Sequence, residues 1–244
     1  VVSEGVTAIG IASMAESGLL IDKKSGMARS YIVPWFDQAA QVQANHIAAN
    51  SDPYDFYVRT GLRINYKCSL TKILWLRDED AGIADGAIWL SVADYIAYRL
   101  TGEFATDGSL AGRTGAFDIH AKQWDEAWLE RWGLSPDNFP PVSASGQTIG
   151  QTSSKWTELG IPKGTPVAVS GHDHICAAYI ANLIAPGQVF DSMGTAEVLI
   201  GSYPERALTS ADYKIGLLGG CHVVPGQNYW VGPLSSSGGA VEWL

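Results

Sequence analysis

Two rhythms of apolar and polar positions run along this chain, and the changes between them mark its elements. Val6-Thr7-Ala8-Ile9-Gly10-Ile11 is a short, β-prone apolar run, and after a polar turn Leu19-Leu20-Ile21 forms a shorter one, closed by Asp22 and the Lys23-Lys24-Ser25-Gly26 turn. Both read as strands, the first of them buried. Residues 37–49 are rich in Ala and Gln and contain neither Pro nor Gly, which predicts a helix. Leu70, Ile73, Leu74 and Arg77 recur at helical spacing over residues 70–79. Residues 90–100 repeat the pattern with Tyr95, Ile96 and Leu100, until Thr101-Gly102 stops it. A shorter amphipathic helix is predicted over 124–132, and the Pro-rich stretch 136–141 cannot continue it.

The character then changes. Pro166-Val167-Ala168-Val169-Ser170 is a buried-strand pattern ending in Gly171-His172-Asp173-His174, with an Ala-rich helix predicted immediately behind it over 175–183. A strand-turn-helix unit with polar groups at the carboxyl end of the strand is where open α/β sheets place ligands. Strand-like runs follow at 188–192, 196–200 and 229–232, separated by Gly-rich turns. A second subdomain is expected to begin near Pro186, and no internal repeat or low-complexity tract interrupts the chain.

Composition narrows the class. With 244 residues, 46% hydrophobic and 17% charged, the chain has apolar material for one large domain or two small ones. Its net charge of -9 and the lack of any basic cluster argue against a nucleic-acid footprint. No apolar run approaches the roughly 20 residues that span a bilayer, and the start carries no charged region with a cleavage site. Cys68, Cys176 and Cys221 are scattered and form no CxxC pair, which speaks against a disulfide framework or structural zinc and fits a reducing cytoplasm.

Several segments carry side chains with chemical use. In Gly171-His172-Asp173-His174, two His flank an Asp; on a strand they would share a face, yet no other His-rich cluster supplies a further ligand for a metal. Asp173 either caps the following helix or acts as an ionised base favoured by the helix N-terminus. Ser192-Met193-Gly194-Thr195-Ala196 reads either as a tight hairpin or as a backbone approach to an anion. Ser235-Ser236-Ser237-Gly238-Gly239-Ala240 feeds a helical start at Val241-Glu242-Trp243-Leu244, a phosphate cradle without the Lys of a P-loop. Glu16, in Ser13-Met14-Ala15-Glu16-Ser17-Gly18, is either a solvated turn carboxylate or a ligand contact. Trp35-Phe36-Asp37 offers aromatic walls beside a carboxylate, or a core edge with a helix cap. Thr106-Asp107-Gly108-Ser109 and Arg113-Thr114 position a cleft or cap a helix.

In this order, the set resembles the FGGY carbohydrate kinases, the group of glycerol kinase, xylulokinase and gluconokinase. The segments that carry the resemblance are Ala8 through Met14, Pro34-Trp35-Phe36-Asp37, Asp94 to Leu100-Thr101-Gly102, Thr106-Asp107 through Arg113-Thr114, Pro166 to Ala178 around His172-Asp173, Gly194-Thr195, and Ser237-Gly238-Gly239 with Glu242-Trp243. The resemblance implies an α/β, actin-like ATPase and ribonuclease H-like fold, with sugar deep in a cleft and ATP held with Mg²⁺ largely by a second domain. It implies that residues 1–185 are the sugar-binding domain without its first strands and 186–244 the opening of the nucleotide-binding domain. Asp173 then looks like the catalytic base. Met14, Glu16, Trp35, Asp37 and His174 look like sugar-side residues; Gly194, Thr195, Gly238 and Glu242 look like phosphate-side residues; Arg113 looks structural.

Two departures stand out. Ala15 and Gly108 replace a larger Arg and Tyr of glycerol kinase, which predicts a roomier pocket for a pentose, hexose or sugar acid. The family's Asp-x-Gly-Thr phosphate loop and its Gly-rich adenosine segment are not found, so the chain is expected to be a portion of a kinase, inactive alone. The partners so implied are a sugar or polyol and ATP, with homodimerisation by family analogy only. A non-catalytic sugar-binding or regulatory piece is the alternative, and a metal hydrolase built on His172 or His174 ranks last.

Overall fold

The structure is a computed structural model and describes residues 5–193, 197–234 and 237. The chain begins with β1 (Ile9–Ser13) and β2 (Gly18–Asp22), followed by α1 (Gln41–Ala49), α2 (Pro53–Thr60) and α3 (Ser69–Glu79). Next come β3 (Ala87–Ser91), α4 (Val92–Thr101), β4 (Thr106–Asp107), α5 (Gly108–Ala111), β5 (Phe117–Asp118), β6 (Gln123–Trp124) and α6 (Glu126–Glu130). After a 3₁₀ turn at Pro136–Asn138 come β7 (Val142–Ser143) and β8 (Thr148–Gln151), and after a second at Ser154–Leu159 come β9 (Pro166–His172) and α7 (Asp173–Ile180). The last elements are β10 (Val189–Met193), β11 (Glu197–Pro204), α8 (Ser210–Ile215), β12 (Leu218–Cys221) and β13 (Gln227–Leu234).

Two sheets organise the molecule. The first has the order β1-β9-β8, with β1 and β9 parallel and β8 antiparallel at the far edge. The second, β10-β11-β13-β12, is wholly antiparallel. Val167, Val169 and Gly171 alternate as buried residues along β9, and α4 covers that face with Ala93, Ala97 and Leu100. Leu20, Ile47, Phe56, Leu70, Ile73 and Trp89 form a larger core among β2, β3 and the first three helices. Ile175, Ile200 and Tyr229 make a third cluster that ties α7 to the second sheet.

Local chemistry explains several boundaries that periodicity alone misplaces. The predicted helix over 90–100 is a strand up to Ser91 and a helix from Val92. All five residues of β3 are buried, so its apolar run cannot be told from a buried helix by pattern. Ser91 is both the last strand residue and the cap of α4, its hydroxyl accepting the Asp94 N–H while the Asp94 carboxylate accepts the Ser91 N–H. The helix predicted over 37–49 starts only at Gln41, because Asp37 accepts the Ala39 N–H in a turn before it. Unpredicted α2 has a full set of helix signals: Asp52 accepts from Tyr54 and Asp55 N–H groups, Pro53 opens the helix, and Gly61 closes it at φ 71°. The helix behind β9 begins at Asp173 rather than at 175, so His172 and His174 lie on a strand end and a helix start and do not share a strand face.

Gly18 shows how tightly β2 and β3 are joined. A Cβ there would lie 2.7 Å from the Trp89 ring and against the Leu90 carbonyl oxygen, backbone that cannot step aside. We expect Gly18→Ala to lower the unfolding free energy by about 1–3 kcal/mol in urea titration; an unchanged midpoint would show that β3 yields without strain.

Candidate functional site

Parallel pairing sets the position of the site. Ser13 at the end of β1 is opposite His172 at the end of β9, so the loop bearing Met14 and Glu16 and the turn bearing Asp173 and His174 leave the sheet side by side at its carboxyl edge. Between Ile11 and Ala12 the register slips, with Val169 and then Gly171 as partners, so Ser170 is an extra residue on β9. Gly171 has φ 129°, and a Cβ there would meet Ser109 Oγ at 2.6 Å, Val223 Cγ1 at 2.8 Å and Asp107 Oδ2 at 2.9 Å. Only glycine fits this point of the turn.

A buried polar platform supports that turn. Asp107 is fully buried and caps α5, accepting the Ser109 and Leu110 N–H groups at 3.1 and 3.0 Å. The Ser109 hydroxyl donates to the same carboxylate at 2.8 Å and accepts the His172 N–H at 2.8 Å. Ser145 donates to Asp107 at 2.5 Å from the β7–β8 connection. Thr106-Asp107-Gly108-Ser109 thus caps a helix and also holds the end of β9.

Asp173 is the first residue of α7, with its side chain 43% exposed at the positive end of that helix. It does not cap the helix as an N-cap residue; His172 occupies that position, and Asp173 Oδ1 accepts the neighbouring His174 N–H at 2.7 Å. His172 Nε2 lies 3.3 Å from Asp173 Oδ1. Burial, and then the Arg113 charge, push the His172 ring down to about 4, so it is neutral at physiological pH and does not neutralise the carboxylate. Ligand atoms of His172, Asp173 and His174 all lie within 4.8 Å of one another. Two imidazoles and one carboxylate suit zinc better than magnesium, and the Arg113 charge that already acts on His172 works against a second cation.

Glu16 is not a solvated turn residue. Both Nε and Nη2 of Arg113 donate to its Oε1, the first at 2.9 Å, in a pair with both side chains largely buried. Burial works to raise the Glu16 carboxyl, but Arg113 and then His172 overcome it and leave it below the ordinary carboxylate range. Burial opposes the Arg113 charge as well, and Glu16 more than restores it. Arg113, read from the sequence as structural, holds the Glu16 carboxylate in place. Its Nη1 and the Tyr229 hydroxyl, a close neighbour from the second sheet, have no hydrogen-bond partner among the described residues. Glu16 has a left-handed backbone at φ 61°, a conformation that costs a residue with a Cβ roughly 1–2 kcal/mol.

The other expected sugar-side residues surround this pair unevenly. Trp35 is 41% exposed, stacks edge-on against Phe36, and has the Lys67 ammonium 4.9 Å from its ring. The backbone N–H of Trp35 donates to Ser17 Oγ at 2.9 Å, which joins its loop to that of Glu16. Met14 is exposed at the end of β1, and part of the Asp37 carboxylate serves its own turn. The expected roomier pocket does not follow from the geometry. Ala15 is 1% exposed inside the core beneath β1, and a Cβ on Gly108 would meet Cys221 Cβ at 3.3 Å, so packing fills the space at both positions. Gly194, Thr195, Gly238 and Glu242 lie outside the described residues. Sequence reasoning also passed over Lys72, whose signal is a cation between the core residues Leu70 and Ile73.

Comparison with known proteins gives this arrangement its class and then its family. The chain superposes on gluconate kinase from Lactobacillus acidophilus with a TM-score of 0.90 at 18% identity, over 99% of this chain and 49% of that one. Plasmodium falciparum glycerol kinase, solved with ADP, matches at a TM-score of 0.88 and 22% identity, over 98% and 48%. The fold is that of the actin-like ATPases. The profile of the FGGY family of carbohydrate kinases, N-terminal domain, matches residues 1–179, and the chain belongs to that family. By sequence it is 28% identical over 250 residues to glycerol kinase of Janthinobacterium sp. (strain Marseille), covering 98% of this chain and 49% of the relative. The chain thus spans about half the length of the relatives it matches. Among the described residues no helix is long and apolar enough to cross a membrane.

The buried titratable groups predict an acid-sensitive fold. His172 and His222, both lowered from 6.5 to about 4 with burial the leading cause, stay neutral in the folded chain while the unfolded chain takes up two protons. Asp94, which burial raises from 3.8 to about 7, holds one proton in the folded chain and offsets one of these. The balance favours proton binding on unfolding, so stability falls as pH drops from about 6.5 to 4.5. Urea midpoints across that range test this, and His222→Gln is expected to flatten the dependence; an equal slope in the variant would exclude that ring as its source.

Proposed function

We propose that the protein of which this chain forms part transfers the γ-phosphoryl group of ATP to a hydroxyl of a sugar, sugar acid or polyol. The observation that carries this reading is Asp173, a half-exposed carboxylate at the end of β9 and the start of α7, beside the Glu16–Arg113 pair that follows β1. At that place Asp173 accepts the proton of the attacking hydroxyl, with His172 neutral next to it. Phosphoryl transfer asks mainly for orientation and charge stabilisation, so one well-placed base and a rigid set of sugar contacts are the chain's share of the chemistry. Glu16 accepts hydrogen bonds from sugar hydroxyls in a direction fixed by Arg113, and Trp35 supplies an apolar face, with Met14, Asp37 and His174 completing the sugar side.

We assign the phosphates of ATP to Gly194, Thr195, Gly238 and Glu242, and residues 1–185 and 186–244 to the sugar and nucleotide lobes. Mg²⁺ comes with the nucleotide in this reading, since the one three-residue ligand group among the described residues is two-thirds imidazole, a set magnesium does not favour. Nucleotide and ion together supply the phosphoryl group and neutralise charge on it. Support comes from relatives named glycerol kinase and gluconate kinase, one of them solved with ADP. A cytoplasmic location agrees with three free cysteines, and the homodimer reading rests on family likeness alone.

In a coupled assay of ADP release, the full-length protein is expected to consume ATP only when a sugar, sugar acid or polyol is added. Asp173→Asn should lower kcat by about 10²–10⁴ while calorimetry shows sugar binding largely intact. Most turnover surviving in that variant would remove Asp173 from its role, and sugar binding without any ATP consumption in the wild type would leave a binding protein instead. We expect the 244-residue chain alone to show no sugar-dependent turnover, and measurable turnover would show that its own residues suffice to hold ATP for transfer.

A further inference from the structure

Lys72 is a buried charge to which the reaction above gives no task. It lies on α3 between core residues Leu70 and Ile73, and its side chain is completely buried. Burying an ammonium is unfavourable unless its donors are satisfied. Two of them are: Nζ donates to the carbonyl oxygen of Glu16 at 2.5 Å and to that of Pro34 at 2.9 Å.

Those two carbonyls belong to separate loops that both carry sugar-side residues. One follows β1 and bears Met14 and Glu16; the other leads toward α1 and bears Trp35 and Asp37. The left-handed turn at Glu16 separates its two polar groups, the carbonyl going to Lys72 while the carboxylate goes to Arg113. Burial pushes the Lys72 ammonium down to about 8, against the pull of Glu16, Cys68 and Asp37 and with Lys67 adding to the fall, so the group is charged at neutral pH. A charged donor makes stronger hydrogen bonds to carbonyls than a neutral one, which suits a tie between two loops.

We propose that Lys72 is a positioning residue for sugar binding, whose ammonium fixes the Glu16 turn and the Pro34–Asp37 loop to one point on α3 and so sets the distance between them. It contacts no substrate. The kinetic consequence rests on the carbohydrate-kinase reading, whereas the effect on the loops rests on geometry alone.

Lys72→Met keeps the aliphatic stem and removes both donors; Lys72→Gln is shorter and neutral and keeps an N–H₂ group. In the full-length protein, Lys72→Met is expected to raise the sugar KM about tenfold, the scale of one charged hydrogen bond. The KM for ATP stays unchanged and kcat moves by less than about threefold, as for loss of binding felt equally by ground and transition states. Without substrate, hydrogen exchange at the amides of residues 15–17 and 35–37 speeds up while the α3 amides keep their protection. Lys72→Gln falls between wild type and Lys72→Met on both readouts. An unchanged sugar KM in folded Lys72→Met, or unchanged exchange in both loops, overturns the proposal. So does failure of both variants to fold, which would make Lys72 a general core residue. If no sugar supports turnover in the wild type, the kinase reading falls, and the exchange comparison still decides the role of Lys72.

Discussion

The parallel pairing of β1 with β9 is the constraint on which the rest of the site depends. Parallel strands release their loops at the same edge, and here that edge receives Glu16 from one strand and Asp173 from the other, far apart in sequence. Four residues separate β1 from β2 and none separates β9 from α7, so neither side chain is free to search for its place. Their meeting is settled by the ladder behind them and by the α4 face that packs on it.

Holding the edge in place falls to charges taken out of water. Asp107 is buried under the β9 turn and satisfied from Ser109, Leu110 and Ser145; Glu16 is paired with Arg113; Lys72 is surrounded by core residues and satisfied by two carbonyls. Such groups contribute little net stability as complete sets, yet loss of one partner strands the other and costs about 3–5 kcal/mol. What they provide is a single arrangement, which apolar packing specifies less sharply. Arg113 also brings the second sheet into this arrangement, because Tyr229 on β13 lies beside its guanidinium and against Ile175 of α7.

The strand-turn-helix around Asp173 was legible in the chain, because an apolar run, a glycine, a polar turn and an Ala-rich helix follow one another there with no insertion between them. The ordered set of motifs gave the family for the same reason. Partners across space were not legible. Glu16 stood as an open choice between solvent and ligand, since nothing in its own segment announces an arginine nearly a hundred positions later. Lys72 was passed over because helical periodicity over 70–79 is carried by its apolar neighbours, and its burial follows from loops that close over α3. The boundary at Ser91 was missed for a local reason, a strand and a helix abutting without a loop, although the Ser91–Asp94 capping pair was there to be read. Small residues at 15 and 108 do not by themselves imply a large pocket, because Ala15 is packed in the core and the Cys221 side chain lies against Gly108.

The extra residue at Ser170 makes the geometry of the site depend on strand length counted in single units. Loops elsewhere can gain or lose residues at the surface with little consequence for the edge. Deleting Ser170 would mend the ladder between β1 and β9, yet it would turn the end of β9 to the opposite face and so redirect the start of α7 at Asp173. A change of length at this point therefore acts on the site directly, in a place where the ladder alone would accommodate it.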